Sequence, residues 1–262
     1  MSFIVKVKQN KLVQKTYFMC LFPKLYAKYL KDYYKFKIST SNTKRFDVLL
    51  QDNCPCLYDN TIKTNFDAHY IYHPAWAARI LAKTRPSYHT DISSTLNFCT
   101  IASAFIPIKF YDYRPADLFL SNLSSKSADL LSLPFESGSI KSLSCMHTVE
   151  HIGLGRYGDP LDPDGDLKAI AELKRVLAFG GNLLFVVPIG GKPKIMFNAH
   201  RIYSYRQIIE YFNDLELIEF ALIPDYPSSD GIILDATKEM ADKCTYGCGC
   251  FWFMLRSLSS RQ

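Results

Sequence analysis

Between residues 88 and 258, short apolar runs alternate with segments whose apolar residues recur every three to four positions, the pattern of a mostly parallel sheet covered by helices. Apolar runs at 88–93, 106–111, 140–145 and 182–187 predict strands, and 215–223 and 250–258 predict two more at the sheet's end. The clearest helix is 166–177, where Leu167, Ile170, Leu173, Val176 and Leu177 share a face and Gly180 follows the end. Ser204 caps a further helix running to Phe212. Pro74 in a first turn, then Trp76, Ala77, Ile80 and Leu81, predicts a short helix stopping before Pro86. Upstream, FPKLYAKYLKDYYKFK sets Leu25, Tyr26, Tyr29, Leu30 and Tyr33 at helical spacing among lysines, so 11–37 reads as a basic amphipathic helix. Residues 38–68 are polar, with Cys54 and Cys56 flanking Pro55, and read as a connecting loop. The predicted organisation is a helical arm with its loop over 1–64 and an α/β domain over 65–262.

Charge sharpens this division. Residues 1–50 hold eleven Lys and Arg against two Asp, +9 of a total of +6, so the rest carries −3. Two uses of the arm are open: its aromatic stripe packs on the main domain, or it meets an anionic membrane surface. No nucleic-acid motif accompanies the charge, so no nucleic-acid partner is expected. Lys24 ends the longest N-terminal apolar run far short of the roughly 20 residues that span a bilayer, and no signal-peptide pattern is present. A cytoplasmic protein is expected, peripheral at the inner face of the membrane if the arm binds there. Its eight cysteines are then free thiols, and no metal site is expected. The spacing Cys244, Cys248, Cys250 is unlike common zinc modules and reads as core thiols in a terminal strand.

Three segments carry a family resemblance. ADLLSLPFESGSIKSLSCMHTVEHI resembles the stretch of class I methyltransferases in which an acidic residue precedes an LPF turn and the fourth strand. ELKRVLAFGGNLLFVVP is similar to the following helix, turn and fifth strand, and FNAHRIYSYRQI to the loop and helix after it. HTVEHIGLGRYGDPLDP, with DISSTLNF upstream and YGCGCF near the end, resembles DUF268, a group of uncharacterised bacterial proteins associated with surface-polysaccharide loci. The resemblance spans about residues 65–258. It implies a Rossmann-like class I methyltransferase fold, a mostly parallel seven-stranded sheet with helices on both faces, and S-adenosylmethionine as cofactor.

On that resemblance Asp112, ending the second strand, meets the cofactor ribose, with Tyr113 beside it and Asp91 as the alternative. Asp129 and Leu130 meet the adenine, and His147 lies beside the cofactor. The family's glycine-rich loop is replaced by Asp91-Ile92-Ser93-Ser94-Thr95-Leu96-Asn97, which has no glycine. Ser93 is the residue there expected to contact the cofactor, because small polar side chains can keep the path of the loop.

HTVEH also fits the H-x-x-E-H pattern of a zinc protease, but that chemistry needs a helix, and here a strand runs into the motif with Gly153 and Gly155 close behind. In the methyltransferase reading Glu150 and His151 open a substrate-side loop that includes Arg156, and His200 lies on the same sheet edge. A neutral histidine there can take a proton from an attacking hydroxyl. The expected function is methylation of a sugar or glycan intermediate of surface-polysaccharide biosynthesis. The alternative is a non-catalytic methyltransferase-like protein that binds a glycan or a biosynthetic partner. Oligomeric state is not legible.

Overall fold

The structure is a computed structural model that describes residues 11–40 and 45–256, with side chains from residue 21 onward. Two compact units are present, 1–65 and 66–262.

In the first unit, α1 (Lys11–Ser39) carries Pro23 within it. Tyr33 is its buried aromatic and its hydroxyl donates to the Val48 carbonyl. The rings of Phe22, Tyr26 and Tyr29 stack in turn along the helix, as their spacing requires. No helix among the described residues is long and apolar enough to cross a membrane.

The second unit begins with α2 (Ala68–Thr84), then β1 (His89–Ile92), α3 (Leu96–Ala102), β2 (Ile108–Asp112), β3 (Leu123–Ser127) and β4 (Ile140–Met146). There follow α4 (Gly165–Val176), β5 (Leu177–Ile189), the hairpin of β6 (Lys194–Met196) and β7 (His200–Ile202), and α5 (Tyr205–Tyr211). The chain finishes with β8 (Glu216–Ile223), α6 (Lys238–Asp242) and β9 (Gly247–Met254). Seven strands form one sheet in the order β3-β2-β1-β4-β5-β9-β8. The first five run parallel, whereas β9 is antiparallel to both β5 and β8. This is the Rossmann-like class I methyltransferase fold, and the order reverses between β1 and β4, where open α/β sheets bind ligands.

Alternate residues of the central strands feed two apolar layers. Phe185, Val187 and Ile189 pack with Ala169, Leu173 and Val176 of α4, while Leu184 and Val186 pack with Trp76, Ile80 and Leu81 of α2. Burial of these faces is the main stabilising contribution, at about 25 cal/mol per Å² of apolar surface. Trp76 also donates from Nε1 to Glu219 of β8 at 2.6 Å, tying α2 to the far edge of the sheet.

Four local expectations are corrected. The α2 helix starts two turns before Pro74, because Asp67 is its cap and accepts from the His69 amide at 3.0 Å. Pro74 is therefore inside the helix, and His69, Tyr70 and His73 precede it on helical backbone. Gly180 is not a helix cap: Leu177 is already extended, and Gly180, at φ +69°, turns β5 while its amide donates to Leu255. The last strand is Gly247–Met254, set by its pairing with residues 182–189 of β5, and residue 258 lies outside the described residues. The polar strand β3 was not foreseen, since LSSKS lacks an apolar run.

Candidate functional site

The carboxyl ends of β1, β2, β3 and β4 surround a cavity of about 270 Å³. Asp112 ends β2, and its Oδ1 accepts from the Arg114 amide at 2.7 Å in an Asx turn that aims the carboxylate across the cavity mouth. Asp129 follows β3, and its Oδ1 accepts from the Leu131 amide at 2.9 Å. Asp112, Tyr113, Asp129, Leu130, Ser93 and His147 all line this cavity. Tyr157 and Asp159 also line it, from the 153–165 loop that the sequence places near the site without giving these two residues a role.

Asp91 does not line it. Its side chain is fully buried beneath β1, where it accepts from the Ser94 amide at 3.0 Å and from the Ser144 hydroxyl. Ser144 in turn accepts from His89 Nε2 at 2.8 Å, so Asp91 ends a polar chain joining β1 to β4. Burial pushes the Asp91 carboxyl above its ordinary range. Asp91 is thereby removed from solvent and serves the sheet.

The glycine-free loop keeps the path that glycine would permit. Ser93 is at φ +57°, its amide donates to Tyr111 at 2.7 Å, and its carbonyl accepts from the Thr148 hydroxyl at 2.9 Å. Ser94 Oγ accepts from the Met146 amide at 3.1 Å, and Thr95 caps α3. A left-handed non-glycine residue costs about 1–2 kcal/mol, and glycine's extra unfolded-state entropy of roughly 0.5–1 kcal/mol offsets part of that gain, so a net of about 0.5–1 kcal/mol is expected to raise the thermal midpoint of Ser93→Gly by about 1–4 °C. A midpoint that falls in differential scanning calorimetry would show that the serine side chain contributes more than its backbone strain.

A second cavity, of about 500 Å³, opens beside the first and shares His147 and His151 with it. Glu150, Arg156 and His200 line it, with Tyr70, Asn198 and Tyr246, which were not foreseen. His147 follows β4 at φ +57°, and residues Val149–His151 form one 3-10 turn rather than an α-helix. The H-x-x-E-H string therefore does not present the helical face a zinc protease requires. The turn aims Glu150 inward: its Oε1 lies 2.8 Å from His147 Nδ1, and its buried Oε2 has no partner among the described residues. His151 Nδ1 donates to the Ala199 carbonyl at 2.6 Å, and Arg156 donates to the same oxygen at 3.0 Å. His200 has its Nε2 buried without a partner among the described residues, and burial lowers its pKa. It is therefore a neutral base at pH 7.

Comparison with known proteins follows this geometry. A family described as "Caenorhabditis protein of unknown function, DUF268" matches residues 121–223, and that description names Caenorhabditis rather than the bacterial group expected. No curated protein matches the chain. A Burkholderia thailandensis 1,6-didemethyltoxoflavin-N1-methyltransferase, solved with its substrate and S-adenosylhomocysteine, is 9% identical with a TM-score of 0.50, over 71% of this chain and 79% of that one. A putative methyltransferase from Bacillus halodurans is 13% identical with a TM-score of 0.47, over 70% and 99%. The putative methyltransferase partner of the Haloferax volcanii activator Trm112 is 15% identical with a TM-score of 0.44, over 71% and 98%. The Burkholderia likeness is one of fold, and the chain has the class I methyltransferase fold.

Proposed function

We propose that the protein is an S-adenosylmethionine-dependent methyltransferase. The cofactor is assigned to the cavity between Asp112 and Asp129, and the acceptor to the cavity lined by His151 and His200. The observation that carries this reading is that the two cavities meet at His147 and His151 on the sheet edge where the strand order reverses. Bound there, S-adenosylmethionine supplies an electrophilic methyl group on a positively charged sulfur.

The residues divide the remaining work. Asp112 receives the ribose hydroxyls as charge-assisted hydrogen bonds, Asp129 and Leu130 hold the adenine edge, and Ser93 lets backbone approach. His200, neutral and lining the acceptor cavity, would take up the proton that an acceptor hydroxyl gives up on methylation. Arg156 and His151, both tied to the Ala199 carbonyl, hold the acceptor. A sugar or glycan intermediate of surface-polysaccharide biosynthesis suits a cavity that combines the polar side chains of His151, Arg156, Asn198 and His200 with the rings of Tyr70 and Tyr246.

Ligand-linked stabilisation tests it. At a concentration one hundred times its dissociation constant, S-adenosylhomocysteine stabilises by about 2.7 kcal/mol, which at about 2–4 °C per kcal/mol raises the thermal midpoint by about 5–11 °C. ATP, which shares adenine and ribose but not the amino-acid tail, is expected to give a smaller shift. Unchanged midpoints with millimolar ligand would leave the non-catalytic, glycan-binding reading in its place.

A further inference from the structure

We infer that His69, His147 and Cys248 form a binding site for one divalent transition-metal ion of the zinc class, with a fourth coordination position open toward the acceptor cavity. One ligand atom from each of the three lies within 4.8 Å of the others. Cys248 Sγ is 3.3 Å from His147 Nε2, close to the roughly 3.5 Å separation that Zn–N and Zn–S bonds of about 2.0–2.3 Å give in a tetrahedron. The ligands come from three elements: the first turn of α2, the exit of β4 and the start of β9. Two imidazoles with one thiolate match the donor set this metal class prefers.

Independent features point the same way. His147 Nδ1 sits 2.8 Å from the Glu150 carboxylate, and the pair is almost wholly buried. That carboxylate fixes Nδ1 as the protonated nitrogen and leaves the Nε2 lone pair facing Cys248, the carboxylate–histidine arrangement that stands behind metal-ligating imidazoles. Glu150 is more than nine-tenths buried with Oε2 unpartnered, an arrangement that is costly unless positive charge lies near. His147 holds a left-handed backbone, φ +57°, that a residue other than glycine adopts only when its surroundings require it. The rings of His69 and Tyr70 both stack on His147, at centroid separations of 5.6 and 5.2 Å. His147 lines the acceptor cavity, as do Tyr70 and Tyr246, whose rings lie against His147 and His69, so the cluster borders that cavity.

Charge indicates what the open position takes. Two neutral histidines and one thiolate around a divalent ion leave a net charge of +1, which the buried Glu150 carboxylate behind His147 balances, so a water or an acceptor hydroxyl suits the open position. The metal site stands on its own geometry; only the identity of an acceptor as the fourth ligand rests on the methyltransferase reading.

Full-length protein, stripped with chelator and titrated with Co(II) and then Zn(II), tests the site. One equivalent of Co(II) is expected to give a thiolate-to-cobalt charge-transfer band in the near ultraviolet, which Zn(II) displaces. Cys248→Ser should abolish the band, and His69→Ala, at the start of a helix and half-buried, should weaken Zn(II) binding at least tenfold with far-ultraviolet circular dichroism unchanged. Glu150→Gln should weaken it about tenfold to a hundredfold, as loss of a carboxylate behind a ligating histidine does. The exposed pair Cys54 and Cys56 is the competing thiol site. The variant Cys54→Ser/Cys56→Ser should keep both band and affinity; if it loses them, or if His69→Ala binds as wild type, the proposal is overturned. Absence of stoichiometric Co(II) binding overturns it equally, whether or not the protein binds S-adenosylhomocysteine.

Discussion

Arg201→Ala is expected to lower the thermal midpoint by about 6–20 °C, the largest stability loss of any single substitution at the cleft. Arg201 lies on β7 and is 4% exposed, and it reaches the carbonyls of Ile152, Asp162 and Pro163 and the carboxylate of Asp166. Its Nη1 donates to the Ile152 carbonyl at 2.6 Å, its Nη2 to the Pro163 carbonyl at 3.1 Å, and its Nε faces the buried Asp166 carboxylate at 3.5 Å. The same Asp166 accepts from the Tyr203 hydroxyl at 2.8 Å. Removing the guanidinium leaves a buried carboxylate without its cation and two carbonyls without donors, a class of change that costs about 3–5 kcal/mol, at about 2–4 °C per kcal/mol for a domain of this size. The residues it anchors include Ile152, which lines the cavity proposed for the cofactor, so ligand affinity should fall with the midpoint. A midpoint within about 3 °C of wild type in differential scanning calorimetry would show that solvent replaces the guanidinium and that the segment holds itself.

The second large effect is on affinity. Asp112→Ala removes up to two charge-assisted hydrogen bonds to the ribose, each worth roughly 1.5–3 kcal/mol, so S-adenosylhomocysteine should bind at least tenfold to a hundredfold more weakly. Because Asp112 also accepts from the Arg114 amide, the midpoint should drop by about 2–4 °C, as for one lost hydrogen bond of about 1 kcal/mol. Asp112→Asn retains an acceptor for that amide and should recover the midpoint while leaving affinity reduced. Undiminished binding by both variants in a competition titration would move the ribose contact to another residue.

These two residues differ in how far the sequence reveals them. Asp112 ends an apolar run, so its place at the mouth of the sheet follows from the strand pattern. Arg201 follows His200 in a segment too short to show periodicity, and its partners are fixed by tertiary folding alone. Helix α4 was legible because Ile170, Leu173 and Val176 recur at helical spacing on its buried face, although Leu167 is exposed and Leu177 already begins β5, whereas β3, an edge strand of LSSKS, offers no apolar alternation. The expected site residues Glu150, His151, Arg156 and His200 meet in one cavity because they flank the exits of β4 and β5, which the apolar runs mark. Tyr246 belongs to the YGCGCF string but lies 99 residues from His147 in sequence, and no local pattern brings them together. His69 and Tyr70 stayed hidden because Pro74 reads as a helix start; the true start depends on one aspartate cap. Asp91 misled for the opposite reason, since a strand-end aspartate faces a ligand in one register and the neighbouring strand in the next.

The central claim is that the Asp112–Asp129 cavity receives S-adenosylmethionine, and isothermal titration calorimetry of the full chain with S-adenosylhomocysteine tests it most directly. The account predicts saturable binding at one site per chain, weakened at least tenfold by Asp112→Ala. No heat of binding at millimolar ligand, at two temperatures so that a vanishing enthalpy is not mistaken for absence, would contradict it.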